Sequence, residues 1–108
     1  MLDTIRSLFG QSFPPERILI IDNGDLTLDF LDENFKGDGR ISLHRMGYNS
    51  GPAGAAAEGL RLLAEDGYEW IYWGDDNDPP PFPTMFEELL AIDLDQKMNT
   101  WGYTGICW

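Results

Sequence analysis

The stretch Trp70-Ile71-Tyr72-Trp73-Gly74-Asp75-Asp76-Asn77-Asp78-Pro79-Pro80-Pro81 constrains this chain more than any other. An apolar run ends abruptly in acids and an amide, and three prolines follow. In a strand, Trp70 and Tyr72 face one side and Ile71 and Trp73 the other, so both faces are apolar, the mark of a central strand in a parallel sheet. The acids then stand at its carboxyl end, the edge where open α/β sheets bind ligands. Adjacent carboxylates about 5 Å apart repel by roughly 3 kcal/mol at an effective dielectric near 20. A divalent cation removes that repulsion; an acidic turn that stays hydrated tolerates it. The stretch alone is compatible with both.

The chain has 108 residues, enough for one domain with a real core but small for an enzyme with two substrates. Its 19 acidic residues against 7 basic ones give a net charge of -12. That balance lacks the positive field needed for phosphate backbones, so nucleic acid is not expected as a partner, and an anionic membrane surface repels the chain too. Cys107 is the single cysteine and no Cys/His spacing suggests zinc. The start, Met1-Leu2-Asp3-Thr4-Ile5-Arg6, has no basic lead or sustained apolar core, and no run reaches the length of a membrane span. These features predict a cytoplasmic setting without a transmembrane segment.

Helical spacing of Leu2, Ile5, Leu8 and Phe9 predicts a first helix over 2–9, stopped by Gly10 and Pro14-Pro15. Arg17 to Ile21 reads as a strand entering the tight loop Asp22-Asn23-Gly24. Leu26, Phe30 and Leu31 suggest a second helix closed by Lys36-Gly37-Asp38-Gly39, and Ile41 to His44 alternates as a short strand. The loop from Met46 to Gly54 leads into a helix over Ala55 to Glu65, where Ala56, Gly59, Leu60 and Leu63 share a face. Gly59 costs about 1 kcal/mol against alanine in a helix interior, so close approach of helix to sheet is its expected return. The Trp70 strand follows, then a helix from Met85 through Ile92 with Thr84 as N-cap. Strands alternating with helices predict a parallel sheet with Asp22 and Asp75 at one edge.

Several motifs fail on inspection. Asp32 to Gly37 mimics the opening of a calcium loop, but Lys36 and Leu43 stand where ligands are required. Asp22 and Asp25 are three apart, not the two of haloacid-dehalogenase phosphatases. Gly51-Pro52-Ala53-Gly54 lacks the lysine of a P-loop and the spacing of a Rossmann fingerprint, although its place before a helix suits an anion. His44 has no catalytic companion at a recognised spacing and reads as structural.

In order along the chain, these elements resemble family 2 glycosyltransferases of the GT-A fold. Leu2 to Leu8 with Gln11-Ser12-Phe13 looks like the family's first helix and its "SL..Q" turn, and Ile20-Ile21-Asp22-Asn23-Gly24 like its "VVDNGS" strand end. Asn49-Ser50-Gly51-Pro52-Ala53-Gly54 with Gly59 is similar to its "N.G.AGG...G" loop and helix, and Asp75-Asp76-Asn77 with the prolines to its "DDD..P" or DxD motif. The resemblance runs from about Leu2 to Leu94. It implies an incomplete Rossmann-like GT-A parallel sheet flanked by helices over residues 1–95, followed by an atypical C-terminal tail over 96–108.

The function so implied is transfer of a sugar from a nucleotide-diphosphate donor. Carried over residue by residue, the nucleotide-sugar contacts are Asp22, Asn23, Asn49, Gly51, Gly54 and Asp75, and the holders of Mg2+ or Mn2+ are Asp75, Asp76 and Asn77. Asn77 departs from the family, standing where the motif's last acid belongs. The family's opening strand, with its "P.YNR" contacts, and its acceptor-binding half with the catalytic base have no counterpart, so the catalytic residue is unknown and a fragment inactive alone is expected. A missing strand exposes a sheet edge, and Trp101, Tyr103, Ile106 and Trp108 add apolar surface, so self-association is expected as well. The alternative is a noncatalytic acidic α/β module that binds a nucleotide, a cation or a protein partner.

Overall fold

The computed structural model of the chain describes residues 2–22, 37–48, 50–75, 78–91 and 101–107. Its elements are α1 (Leu2–Phe9), β1 (Arg17–Asp22), β2 (Ile41–Arg45), α2 (Gly51–Glu65), β3 (Ile71–Asp75), α3 (Met85–Ala91) and β4 (Gly102–Cys107). Among the described residues the strands form one sheet in the order β2-β1-β4-β3, and every pairing is parallel. The second helix expected around Leu26 to Leu31 lies outside the described residues.

β1 shows why the sheet is covered on both sides. Ile18 and Ile20 pack with Ile5, Leu8, Phe86, Trp101 and Tyr103, while Leu19 and Ile21 pack with Ala55, Ala56 and Leu63 of α2. Period-two alternation of a fully apolar run therefore feeds two cores, one under α1 and α3 and the other under α2.

The largest difference from expectation is at the end of the chain. The segment read as an apolar tail supplies β4, which runs between β1 and β3 and pairs with both. Trp101 and Tyr103 are each only 2% exposed, which overturns the reading of these two side chains as unpartnered surface. Trp101 stacks on Phe86 at 4.0 Å between ring centroids, and its indole N–H donates to the Phe13 carbonyl at 3.0 Å. Hydrogen bonds from the Glu16 N–H to the Trp101 carbonyl and from the Gly102 N–H to the Trp70 carbonyl tie the start of β4 to both neighbours. As a consequence β3 is the edge strand of the described sheet, not a central one, and Trp73 is 44% exposed.

Two boundaries also moved. β3 begins at Ile71 and includes Gly74 and Asp75, so the first acid belongs to the strand and not to the loop after it. α2 begins at Gly51, four residues ahead of the expected Ala55, because Pro52 in its first turn has a preset φ and no N–H to lose there. At the start of α3, the Thr84 hydroxyl donates to the Glu88 carboxylate.

Glycines mark the closest approaches. A Cβ on Gly59 of α2 would lie 2.1 Å from Thr104 Oγ1 of β4, which is the close approach expected of that residue. Cβ atoms on Gly74 and Gly105 would lie 2.8 Å from the Tyr103 side chain, so the glycines of β3 and β4 leave the room that its ring occupies.

Candidate functional site at the carboxyl edge of the sheet

Parallel pairing brings the carboxyl ends of all four strands to one edge. Asp22 ends β1 level with Arg45 of β2 on one side and Cys107 of β4 on the other, while Asp75 ends β3 level with Ile106. Asp22 and Asp75 thus share an edge, as the order of elements required. They stand two strand spacings apart, roughly 10 Å.

Asp22 is 2% exposed. Burial of a carboxylate is expensive without compensating charge or donors. Part of that compensation is Arg45, whose Nε lies 4.0 Å from Asp22 Oδ2. The Met46 N–H donates to the Asp22 carbonyl at 3.0 Å, extending the β1–β2 pairing past Arg45. From there the chain turns through Gly47 at φ 80° into α2, with Gly51 at φ 76°. Both values lie where a side chain is strained. Gly54 stands in the first turn of α2, where a Cβ would come within 2.9 Å of Ser50 Cβ. Gly51 and Gly54 are therefore delivered to the same edge as Asp22 and Asp75. Asn23, Asn49, Asp76 and Asn77 lie outside the described residues.

Gln11 has a role that the turn motif did not disclose. Its amide N–H donates to the Phe82 carbonyl at 2.8 Å, and its Oε1 accepts from the Phe86 N–H at 3.3 Å. With the Ser12 N–H bonded to the Pro83 carbonyl at 2.8 Å, the end of α1 clamps the proline run that follows the acids. Burial, and then the negative charge of Asp78, raise the Tyr72 pKa, so its hydroxyl remains protonated at neutral pH. His44 stands 3.8 Å from Glu58, consistent with a structural role.

An apolar cavity of about 250 Å3 lies elsewhere, lined by Trp70, Tyr72, Phe86, Leu89, Leu90 and Trp101 among others. Trp70 and Trp101 immediately precede β3 and β4, so it lies toward the amino ends of those strands, at the opposite end from Asp22 and Asp75. Among the described residues no three metal-ligating side chains converge and no helix is long and apolar enough to cross a membrane. Of the acids expected to hold a cation, Asp75 is described, at the end of β3, and carboxylate oxygen is the ligand type that Mg2+ and Mn2+ take.

Against known proteins, the family model described as Glycosyl transferase family 2 matches residues 1–95. No curated protein and no solved structure matches the chain.

Proposed function

We infer, from the membership of this chain in glycosyltransferase family 2, that its carboxyl sheet edge binds a nucleotide-diphosphate sugar. The observation that carries this reading is the arrival of Asp22 and Asp75 at one edge, about two strand spacings apart. That separation suits a ligand whose base end and diphosphate end must be held at once. Asp22, with Asn23, is the base contact. Gly51 and Gly54, with Asn49 between β2 and α2, lie where backbone approaches the ligand closely. Asp75 and Asp76, with Asn77 in the third position of the motif, are the residues that would hold Mg2+ or Mn2+. When bound, the cation neutralises charge on the departing nucleoside diphosphate.

The chain's own groups account for binding and orientation better than for transfer. A positioned base for the acceptor hydroxyl contributes roughly 10²- to 10⁴-fold. The described carboxylates beyond Asp78 are occupied elsewhere: Glu87 accepts from the Ser12 hydroxyl and Glu88 from the Thr84 hydroxyl. We assign this chain the donor-binding role, in a cytoplasmic setting, with residues 1–95 as its nucleotide-sugar part. Trp101 and Tyr103 are withdrawn from the apolar tail surface, so self-association is proposed through β2 and β3, the outer strands among the described residues.

Incubation with a panel of nucleotide sugars and Mn2+, with and without sugar acceptors, tests the assignment. Nucleotide sugar should be retained by the chain, and acceptor-dependent release of nucleoside diphosphate should not exceed that of an Asp75→Ala, Asp76→Ala double variant. Acceptor-dependent turnover above that control contradicts the donor-binding role, and failure to retain any nucleotide sugar contradicts the site.

A further inference from the structure

The apolar cavity at the amino ends of β3 and β4 plays no part in the donor site. It holds about 250 Å3, more than the roughly 150 Å3 in which an engineered apolar cavity admits benzene. Four of its lining residues are aromatic: Trp70, Tyr72, Phe86 and Trp101. Phe86 and Trp101 are stacked and only 3% and 2% exposed, so they form the floor, whereas Trp70 and Tyr72 are half-buried and Leu89 at the rim is 46% exposed. The Tyr72 ring stands at 83° to that of Phe86, with centroids 4.9 Å apart. Two rings at right angles leave a corner in which a rounded group can meet both.

The described lining carries no charge and little hydrogen-bonding capacity. The Trp101 N–H is committed to the Phe13 carbonyl, and Ile71, Leu89 and Leu90 are aliphatic. A primary ammonium, with three donors to satisfy, would be stranded there. The surroundings, in contrast, are strongly negative. From Leu62 to Gln96 the chain carries ten acidic residues and no Lys, Arg or His, and β4 has no basic residue either. Arg17, at the same end of the sheet, shares the face of Leu19 toward α2 and pairs with Asp66. Burial, and then the negative charge of Asp78, raise the Tyr72 pKa, so the acidic field reaches that ring.

We propose that this cavity binds a small free molecule bearing a trimethylammonium group, with choline as its simplest representative. Such a group is cationic but has no N–H to satisfy. Aromatic walls attract its charge, and nothing polar is left buried without a partner. A neutral molecule of the same shape would gain from apolar burial alone. The site is separate from the nucleotide reading and does not rest on it, since the cavity lies at the opposite end of the strands from Asp22 and Asp75.

Choline titrated into the full chain, followed by proton magnetic resonance, should bind saturably, with its methyl signal moving upfield as the rings act on it. Two probes separate charge from shape. The neutral alcohol in which tert-butyl replaces trimethylammonium, and ethanolamine, should each bind about tenfold or more weakly. Trp70→Leu keeps apolar bulk and the main-chain carbonyl that accepts from the Gly102 N–H, but removes a ring face. In that variant choline affinity should fall about tenfold and that of the neutral alcohol less than about twofold. Leu89→Lys, at an exposed position, places a like charge at the rim and should weaken choline several-fold while sparing the neutral alcohol. UDP with Mn2+ should not displace choline. Equal binding of choline and the neutral alcohol, equal losses of both in Trp70→Leu, unchanged choline binding in both variants, displacement by UDP, or no saturable choline binding overturns the proposal.

Discussion

A chain ending at residue 100 is expected to lose its cooperative thermal transition and its near-ultraviolet circular dichroism. β4 is the element through which β1 and β3 are joined, since both pair with it and not with each other. Without it, β3 has no described strand partner, and Ile18 and Ile20 lose Trp101 and Tyr103 from their core. Truncation of a buried tryptophan to alanine alone costs about 3–5 kcal/mol, against a total stability of about 5–15 kcal/mol for a domain. Removing the whole strand adds the loss of two ladders and should exceed what remains. A less drastic variant, Trp101→Ala, should stay folded at low temperature with a strongly lowered melting point. A sharp transition and unchanged near-ultraviolet signal in the shortened chain would show that β4 is dispensable to the sheet.

The second large effect is expected from Gly59→Ala. On an exposed helix this change stabilises by about 1 kcal/mol. Here the new methyl would lie 2.1 Å from Thr104 Oγ1 and 3.0 Å from Thr104 Cβ, and Thr104 is fully buried in a strand paired on both sides. Overpacking typically costs about 1–3 kcal/mol, and a clash this close belongs at or beyond the upper end. Net destabilisation of about 2 kcal/mol in urea unfolding is the expected result. The Thr104 hydroxyl is itself buried with no hydrogen-bond partner among the described residues, so Thr104→Ala removes both the obstacle and an unsatisfied group. The double variant Gly59→Ala, Thr104→Ala should therefore be more stable than the sum of the two single changes by about 1 kcal/mol or more. Strict additivity would mean that α2 shifts away from β4 at little cost.

The physical reasons for what was legible differ from element to element. Arg17 to Ile21 could be read because a β-branched apolar run can bury both faces only as an interior strand, and it does, with Asp22 added at its end. The shared edge of Asp22 and Asp75 followed from the alternation of strands and helices, since each acid closes a strand. Gly59 announced its contact by costing helix stability. β4 was not legible because Gly102 and Gly105 weaken strand propensity, and their reason for being there, the Tyr103 ring, exists only once β3 and β4 lie side by side. The same is true of the central place given to β3: two apolar faces describe a buried strand, but which strand is interior depends on a pairing partner from the far end of the chain. Arg45 was passed over because its partner is an acid on a different strand, and Gln11 because a side-chain clamp onto the carbonyl of Phe82 leaves no periodic signal.

An edge that holds base, diphosphate and cation together makes Mn2+ and a nucleoside diphosphate bind cooperatively, and that thermodynamic coupling is directly measurable. Calorimetry gives the UDP affinity with and without Mn2+ and the Mn2+ affinity with and without UDP; the two ratios agree by linkage, and their size reports the coupling. Coupling of about tenfold or more is expected in the wild type, because the diphosphate supplies oxygens that Asp75 and Asp76 cannot, and a marked reduction is expected in Asp76→Asn. Equal UDP affinity with and without Mn2+ in both proteins would contradict a metal-bridged donor site and leave Asp75 to Asp78 as a hydrated acidic turn.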